Sequence, residues 1–477
     1  MRPLIEEVST SHTPESLVEQ LRGEAGVVLL RSALFESPQA RYSFVAARPF
    51  QTLRASGSCC QIESGGAAHQ QFGNPWRILE GLMARYELLD ELDLPFPLGG
   101  CFGYWGYDLK NFVEPQLARR AVNDLELPDC HVGFYDSLVA FDHQLGKTWI
   151  ISTGIGMDGA RDEARAQQQS HRWRGKLQGA ESGTRETEAG DGSAHITANI
   201  SREQFLAMVE HALQYIRAGD IYQVNLSQRL SAPWPWSGWE FFGELTVVSP
   251  APFSAYLDCG EFQVVSSSPE MFLRMSGPHI LTRPIKGTRP RSPDANRDAQ
   301  LMYELQTSPK EMSELVMITD LLRNDLGRVC EYGSVQVPEL VRLERFPQVQ
   351  HLVSTVEGRL RRDVPHFAAF ASCFPGGSIT GAPKIRAMEI IDELEPVTRG
   401  PYTGALGYLG FNRESQLSIA IRTAICREGS VYFHTGAGIV ADSDPASEYD
   451  ETMTKARGFL VALELRGRRE FSLPKQS

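Results

Sequence analysis

Strand-like and helix-like patterns follow one another along this chain without the regular strand–helix–strand rhythm that a parallel sheet needs. Parallel neighbours require long crossovers, whereas antiparallel neighbours can be joined by tight turns. Residues 26–30, 254–257, 263–267 and 431–434 read as short strands. Helical periodicity is clear over 201–218, 311–326 and 383–394. Ser201 stands at an N-cap position with Gln204 three residues on, the spacing of a capping box. The pattern predicts an α+β chain built on antiparallel sheets. Residues 99–107 are glycine-punctuated and aromatic, which reads either as a bulged strand or as a ligand cradle.

With 477 residues, 42% of them hydrophobic, the chain can bury a large core, and its length suggests roughly two to four domains. The divisions fall at 1–155, a mixed N-terminal region; 156–195, a polar linker; and 196–470, where most of the chemistry sits. Within the linker, 158–178 reads as an exposed helix, and 179–194 is rich in Gly, Ser, Thr and Glu and reads as a mobile loop. There is no internal repeat. A net charge of -12 argues against nucleic acid as a partner. An anionic substrate would therefore need a local cationic pocket. No apolar run reaches membrane-spanning length and the N-terminus does not read as a signal peptide, so the cytoplasm is the expected location and a membrane is not expected. The eight cysteines form no C-x-x-C pair and read as reduced core thiols.

Four groups of residues carry chemistry. Lys286 lies in a strand end running into a tight turn at Gly287, where it is either a lysine in a turn-bounded apolar slot or a surface lysine on a basic loop with Arg283, Arg289 and Arg291. Glu311 and Glu314 are three apart on one helix face, and Glu448 and Glu451 repeat that spacing. Two such pairs meeting across a cleft would suit Mg²⁺; alternatively, Glu448 and Glu451 are a solvated face with Glu451 and Lys455 as an i,i+4 ion pair. Residues 374–384 form a glycine-rich turn feeding a helix, either an anion receiver or simply a well-capped helix start. Arg422 sits in the apolar run 418–424, read as a strand, and needs an anionic partner, either a ligand carboxylate or an Asp or Glu of the protein; Gly436 and Gly438 offer side-chain-free backbone.

Together these pieces resemble the chorismate-utilising enzyme family. The motifs are Ser268-Pro269-Glu270; Pro284-Ile285-Lys286-Gly287-Thr288; residues 320–328; and Gly436-Ala437-Gly438-Ile439 followed by Glu448, Glu451 and Lys455. The resemblance implies antiparallel sheets packed face to face with helices outside, and Mg²⁺ as cofactor. It makes Glu314 and Glu451 direct metal ligands, with Glu311 and Glu448 acting through water. Tyr402, Arg422 and Gly438 would hold the enolpyruvyl carboxylate of chorismate. Ser378 and Lys455 would meet the metal-bound end. Gln223 and Thr288 are further implied substrate contacts. Glu270 is implied as the general acid, and His351 as the histidine near the ring.

Within the family, Lys286 resembles the aminodeoxychorismate synthase branch, since anthranilate and isochorismate enzymes typically carry alanine there. Gln223 stands where isochorismate and salicylate synthases use a lysine to activate water. The implied reaction is amination of chorismate at C4 by a component I subunit, giving the precursor of p-aminobenzoate and folate. The ammonia would come from a separate glutamine amidotransferase subunit, for which this chain has neither room nor a matching cysteine context. The alternatives are anthranilate synthase component I and a non-catalytic chorismate- or tryptophan-binding regulator. The regulator would be expected to lack Glu270 or a metal carboxylate, and all are present. Leu315 departs from the family's usual His or Asn, which should change packing around the metal carboxylates and not the metal itself. Arg31 departs from the family's Glu before Ser32, so a tryptophan pocket near Ser32 is not expected.

Overall fold

The computed structural model describes residues 2–32, 40–88, 94–179, 195–346 and 349–469. Within them the chain forms two large antiparallel sheets, each of twelve strands. The first runs in the order Leu4–Val8, Lys147–Ser152, Ser137–Asp142, Tyr42–Ala46, Val28–Arg31, Phe253–Asp258, Gln263–Ser268, Thr423–Arg427, Ser430–Ile439, Gln223–Pro233 and Thr197–Ala198, with Gly381–Ala382 also pairing to Gln223–Pro233. The second runs Ile285–Pro290, Val349–Arg359, His279–Arg283, Met271–Ser276, Glu414–Ile419, Ala405–Gly410, Gly100–Trp105, Cys130–Tyr135, Gln51–Ser56, Cys59–Ser64 and Ala67–Phe72, with Gln336–Arg345 on the other side of Val349–Arg359. Both sheets take strands from either side of the 156–195 division, which divides the sequence and not the sheets.

Strand alternation explains the layering. Val28, Phe44, Ala46, Val264 and Ile425 of the first sheet pack with Leu53, Phe102, Phe134, Leu273 and Leu417 of the second in one large central core. The intervening residues, Leu29, Val45, Val265 and Ala424, point the other way and pack with Leu17, Trp173, Phe241 and Phe459 of four outer helices. Those helices are Pro14–Gln20, Glu163–Gln178, Gly238–Val248 and Pro445–Arg469. The helices Arg202–Ala218 and Lys384–Leu394 cover the end of the first sheet that carries Val224 and Ile439. The helix Pro309–Gly327 lies against Val349–Arg359 through Leu315 and Leu352, joined by Leu305 of the preceding helix Ala295–Thr307. So the face-to-face sheets with helices outside are present as expected. Leu315, the departure noted in the sequence, is a fully buried packing residue.

The helix over 201–218 forms as read, with Ser201 as N-cap and a reciprocal capping box with Gln204. The helix expected to be exposed over 158–178 is corrected: it spans Glu163–Gln178 and buries Ala166, Ser170, Trp173 and Leu177. The sparse apolar residues still share one face, and Trp173 alone supplies much of the buried area. The loop read at 179–194 lies, beyond its first residue, outside the described residues. All eight cysteines are free. Ser32 is buried and hydrogen-bonds the Tyr42 carbonyl, while 33–39 lie outside the described residues. No described helix is long and apolar enough to cross a membrane.

The 99–107 glycines make a strand. Gly103 pairs with Gly407 of the neighbouring strand. Gly407 has φ +149, and a Cβ there would lie 2.2 Å from the Gln416 carbonyl oxygen. Gly407→Ala should therefore destabilise the protein by about 2–4 kcal/mol, the combined scale of backbone strain and overpacking. The expected readout is a lower denaturation midpoint at unchanged m; an unmoved midpoint would contradict this reading of the strand pair.

Candidate active site

The candidate residues come from ten segments of the chain, several of which the fold brings together. The strand Ile285–Pro290 lies at the edge of the second sheet and carries Lys286, so the expected strand end is corrected to a position inside a strand. A register shift between Lys286 and Thr288 marks a bulge there. Gly287 sits in it at φ +67, where a Cβ would meet Leu305 at 2.7 Å and Glu311 at 3.0 Å. Only a residue without a side chain lets the strand pass this close to the helix bearing the first carboxylate pair.

The lysine is not on an open basic loop. Lys286 Nζ lies 3.7 Å from Glu314 Oε2, and both side chains are 15% exposed. Gln223 Nε2 donates to the same carboxylate oxygen at 3.4 Å. Gly438 completes this corner: a Cβ built there would lie 2.6 Å from Gln223 Nε2 and 4.0 Å from Lys286 Nζ. Glu311 pairs with Arg289 at 3.3 Å, a partner the sequence reading did not assign.

Glu270 is buried beside this corner. Burial holds its carboxyl above the usual range, against hydrogen bonds from Ser378 and the Ile285 N–H and the positive charge of Lys286. A carboxylic acid kept protonated and hydrogen-bonded can donate a proton to a leaving group. Ser378 lies in a short turn that Lys384 pins down: its ammonium bonds Asp325 at 2.6 Å and the carbonyls of Cys373 and Pro375 at 3.2 and 3.0 Å.

Across the pocket, Thr288 Oγ1 and His351 Nδ1 are 2.8 Å apart. His351 is buried and feels the charge of Arg422. Arg422 is not within a strand, which corrects the reading of 418–424. Glu414–Ile419 belongs to the second sheet and Thr423–Arg427 to the first, and the chain bends between them with Arg422 at φ +49. An apolar run does not reveal such a bend. Burial pushes the guanidinium downward, and among the described residues it has no carboxylate partner. A half-buried cation without a carboxylate partner is costly to desolvate, so this one points to an anion supplied from outside the chain. Tyr402 is buried, stacked on His434 at 5.1 Å, with its hydroxyl 2.8 Å from where a Cβ of Gly436 would sit.

Glu448 and Glu451 start the helix Pro445–Arg469. Glu448 is buried and raised by burial, with Ser443 bonded to one oxygen and no partner for Oε2. Glu451 is lowered: Lys455, Lys310 and Lys286 together outweigh the opposing effect of burial. The Glu451–Lys455 pair forms at 2.7 Å, and Lys455 also donates to the Gly436 carbonyl at 2.9 Å. The ion-pair reading thus holds for Glu451, while the solvated-face reading fails for Glu448.

The four carboxylates do not form a ready-made cage: among the described residues no three His, Cys, Asp or Glu converge as a metal site. Their chemistry nonetheless fits an oxygen-seeking ion that keeps waters and binds through one or two carboxylates and a substrate oxygen. The unpartnered Glu448 Oε2 is an acceptor of that kind.

The His351 ring is pushed down to about 4 by burial and by Arg422. Its folded value lies below the ordinary 6.5, so the unfolded chain takes the proton first as pH falls. This group alone therefore lowers stability between about 6.5 and about 4. Nitrogen-15 NMR should find the His351 ring neutral at pH 6. Protonation of the folded protein near 6.5 would contradict the buried placement.

A family model described as chorismate binding enzyme matches residues 31–461. The chain is 38% identical over 467 residues to anthranilate synthase component 1 of Acetivibrio thermocellus, covering 95% of this chain and 93% of that one. It is 40% identical over 450 residues to aminodeoxychorismate synthase component 1 of Klebsiella aerogenes, covering 93% and 95%. The crystal structure of anthranilate synthase component I from Streptococcus pneumoniae TIGR4 superposes with a TM-score of 0.74 at 31% identity, covering 89% of this chain and 93% of that one. Fold, pocket and relatives agree: the chain belongs to the chorismate-binding enzyme family.

Proposed function

We propose that this enzyme aminates chorismate at C4 to give 4-amino-4-deoxychorismate, the reaction of an aminodeoxychorismate synthase component I. Its relatives carry two names, so likeness alone does not choose between products. The observation that carries the choice is the position of Lys286. Its amine is nearly enclosed, 3.7 Å from Glu314, and its charge acts on Glu270, whose carboxyl burial holds above the usual range. That arrangement supports a reading in which Lys286 is the nucleophile and Glu270 the proton donor.

Each residue then has a task. Arg422, Tyr402 and the bare backbone at Gly438 receive the enolpyruvyl carboxylate. Glu270 protonates the C4 hydroxyl, which leaves as water. The Lys286 amine forms a bond to C2 through its nitrogen lone pair while both ring double bonds shift toward C4. Ammonia then bonds to C4, the double bonds shift back, and the C2–Nζ bond breaks with its electron pair returning to the lysine. Pyruvate stays on the ring. Gln223 is a neutral amide and cannot act as a base toward water, which disfavours hydroxylation at C2. His351, neutral and bonded to Thr288, borders the ring. Glu314 and Glu451, with Glu311 and Glu448 behind them, would hold Mg²⁺, which when bound supplies positive charge for the ring carboxylate. Lys455 and Ser378 flank that end. Ammonia would be delivered by a separate glutamine amidotransferase, and the chain alone would use ammonium but not glutamine.

Incubating the purified chain with chorismate, Mg²⁺ and ammonium should yield the amino-deoxy product without pyruvate; anthranilate and stoichiometric pyruvate would instead establish the anthranilate synthase reading. Omitting ammonium should leave an adduct on Lys286, with a mass gain of chorismate less water. Lys286→Ala should lose that adduct, and an adduct mapped elsewhere would refute the role. Glu270→Gln should slow turnover roughly 10²–10⁴-fold, the usual worth of a positioned acid.

Glu314→Ala and Glu451→Ala should each remove Mg²⁺-dependent turnover while circular dichroism stays native. Wild-type rates undiminished in excess chelator would overturn the metal assignment.

A further inference from the structure

Residues 320–328 carry part of the sequence resemblance and none of the reacting groups. They form the last turns of the helix Pro309–Gly327, whose first half bears Glu311 and Glu314. Leu322, Asp325 and Leu326 are buried, while Arg323, Asn324 and Gly327 are exposed. Helix spacing therefore sets a carboxylate on the inward stripe. It is 2% exposed and needs a partner from another segment.

That partner is Lys384. Its ammonium lies 2.6 Å from Asp325 Oδ2 and donates to the Cys373 and Pro375 carbonyls at 3.2 and 3.0 Å. Cys373 ends the helix His366–Cys373, so its carbonyl has no partner within that helix, and Pro375 lies beyond it. An ammonium has three donors, enough for one carboxylate and these two carbonyls.

The end of the helix Pro309–Gly327 grips the same turn at two more points. A Cβ at Gly377 would meet Leu321 at 2.5 Å, and Arg328 donates to the Ser372 carbonyl at 3.4 Å. On the other side, a Cβ at Gly376 would meet Ile419 at 2.7 Å and Phe272 at 3.5 Å. Both of these adjoin Glu270: Phe272 follows it by two residues, and the Ile419 N–H donates to its carbonyl at 3.1 Å. The turn is thus wedged between the helix end and the strand end that presents Glu270. From Cys373 to Thr380 every residue is buried except Ser378, which is half-buried. Ser378 is the residue that bonds the Glu270 side chain.

We propose that Asp325 and Lys384 are positioning residues for the loss of the C4 hydroxyl: they hold the turn so that Ser378 stays bonded to Glu270 while the acid delivers its proton. The inference rests on Glu270 as the proton donor of the proposed reaction. Proton transfer needs the acid within hydrogen-bond reach of the leaving oxygen. A carboxyl whose anchor has shifted loses that aim, and a misplacement of about 1 Å can cost on the order of 10²-fold.

Removing one charge alone would strand the other in a buried site, so the test replaces both. Asp325→Leu with Lys384→Met is one pair variant, and Asp325→Asn with Lys384→Gln is a second should the first fail to fold. With Mg²⁺ and saturating ammonium, single-turnover consumption of chorismate should slow about 10–100-fold in each. The half-saturating chorismate concentration should stay unchanged, because Arg422, Tyr402 and Gly438 receive the substrate elsewhere. Ser378→Ala should slow the wild type by a similar factor and add no further loss to a pair variant. A general loosening of the fold would instead raise the half-saturating concentration and make the two losses multiply. Either of those results, or an unslowed rate in a folded pair variant, would overturn the positioning role. Glu270→Gln separates the two claims: undiminished consumption in that variant would overturn Glu270 as the proton donor, whereas a slow Glu270→Gln beside unslowed pair variants would overturn the positioning role alone.

Discussion

Glu395 and Arg399 lie four residues apart just beyond the helix Lys384–Leu394, and their side chains are 4% and 1% exposed. Every polar arm of this pair is used. Glu395 accepts from the Ser227 N–H and hydroxyl. Arg399 donates to Glu395 twice, to the Asn225 and Ile379 carbonyls and to Thr403 Oγ1, and lies over the rings of Tyr107 and Tyr402. These contacts bind the first sheet, the turn carrying Ser378 and the loop carrying Tyr402 into one unit. Breaking such a pair by removing one partner leaves a buried charge, a loss of roughly 3–5 kcal/mol. The pocket depends on it, since Ser378, Tyr402 and Asn225 come from segments far apart in the chain and meet only here.

The same residue type takes opposite roles by environment. Glu270 is enclosed and held above its ordinary range, whereas Glu451 is held below it by Lys455, Lys310 and Lys286. One is fitted to give a proton and the other to stay ionised. In a chain of net charge -12, the cationic pocket is a local construction from Lys286, Arg422 and Lys455. Arg422 is the cation in it that lacks a carboxylate partner among the described residues.

Local signals were legible in the sequence where the determining residues are neighbours. Ser201 and Gln204 announce a helix start, and the i,i+3 glutamates share a face because helix geometry requires it. The site residues were reached through motif resemblance; the chain sets Lys286 and Gln223 against Glu314, and Thr288 against His351, and buries Glu448 where a solvated face was the alternative. What was not legible depends on long-range pairing. Nothing in the 418–424 run marks where it leaves one sheet for the other, because the bend at Arg422 is enforced by contacts such as Ser267 N–H to the Arg422 carbonyl. The buried face of Glu163–Gln178 rests on a single tryptophan amid polar residues, too faint a stripe to read.

The bend at Arg422 has a mechanical meaning. The residue that awaits an anion is the link where the polypeptide steps from one sheet to the other, between Ile419 and Thr423. A ligand gripping it presses on the joint of the sandwich and not on a surface loop. Slippage of one layer over the other would pull the guanidinium off its ligand, and a bound ligand resists that slippage in return. A ligand held there would add a tie between the two layers, a form of coupling that needs no hinge.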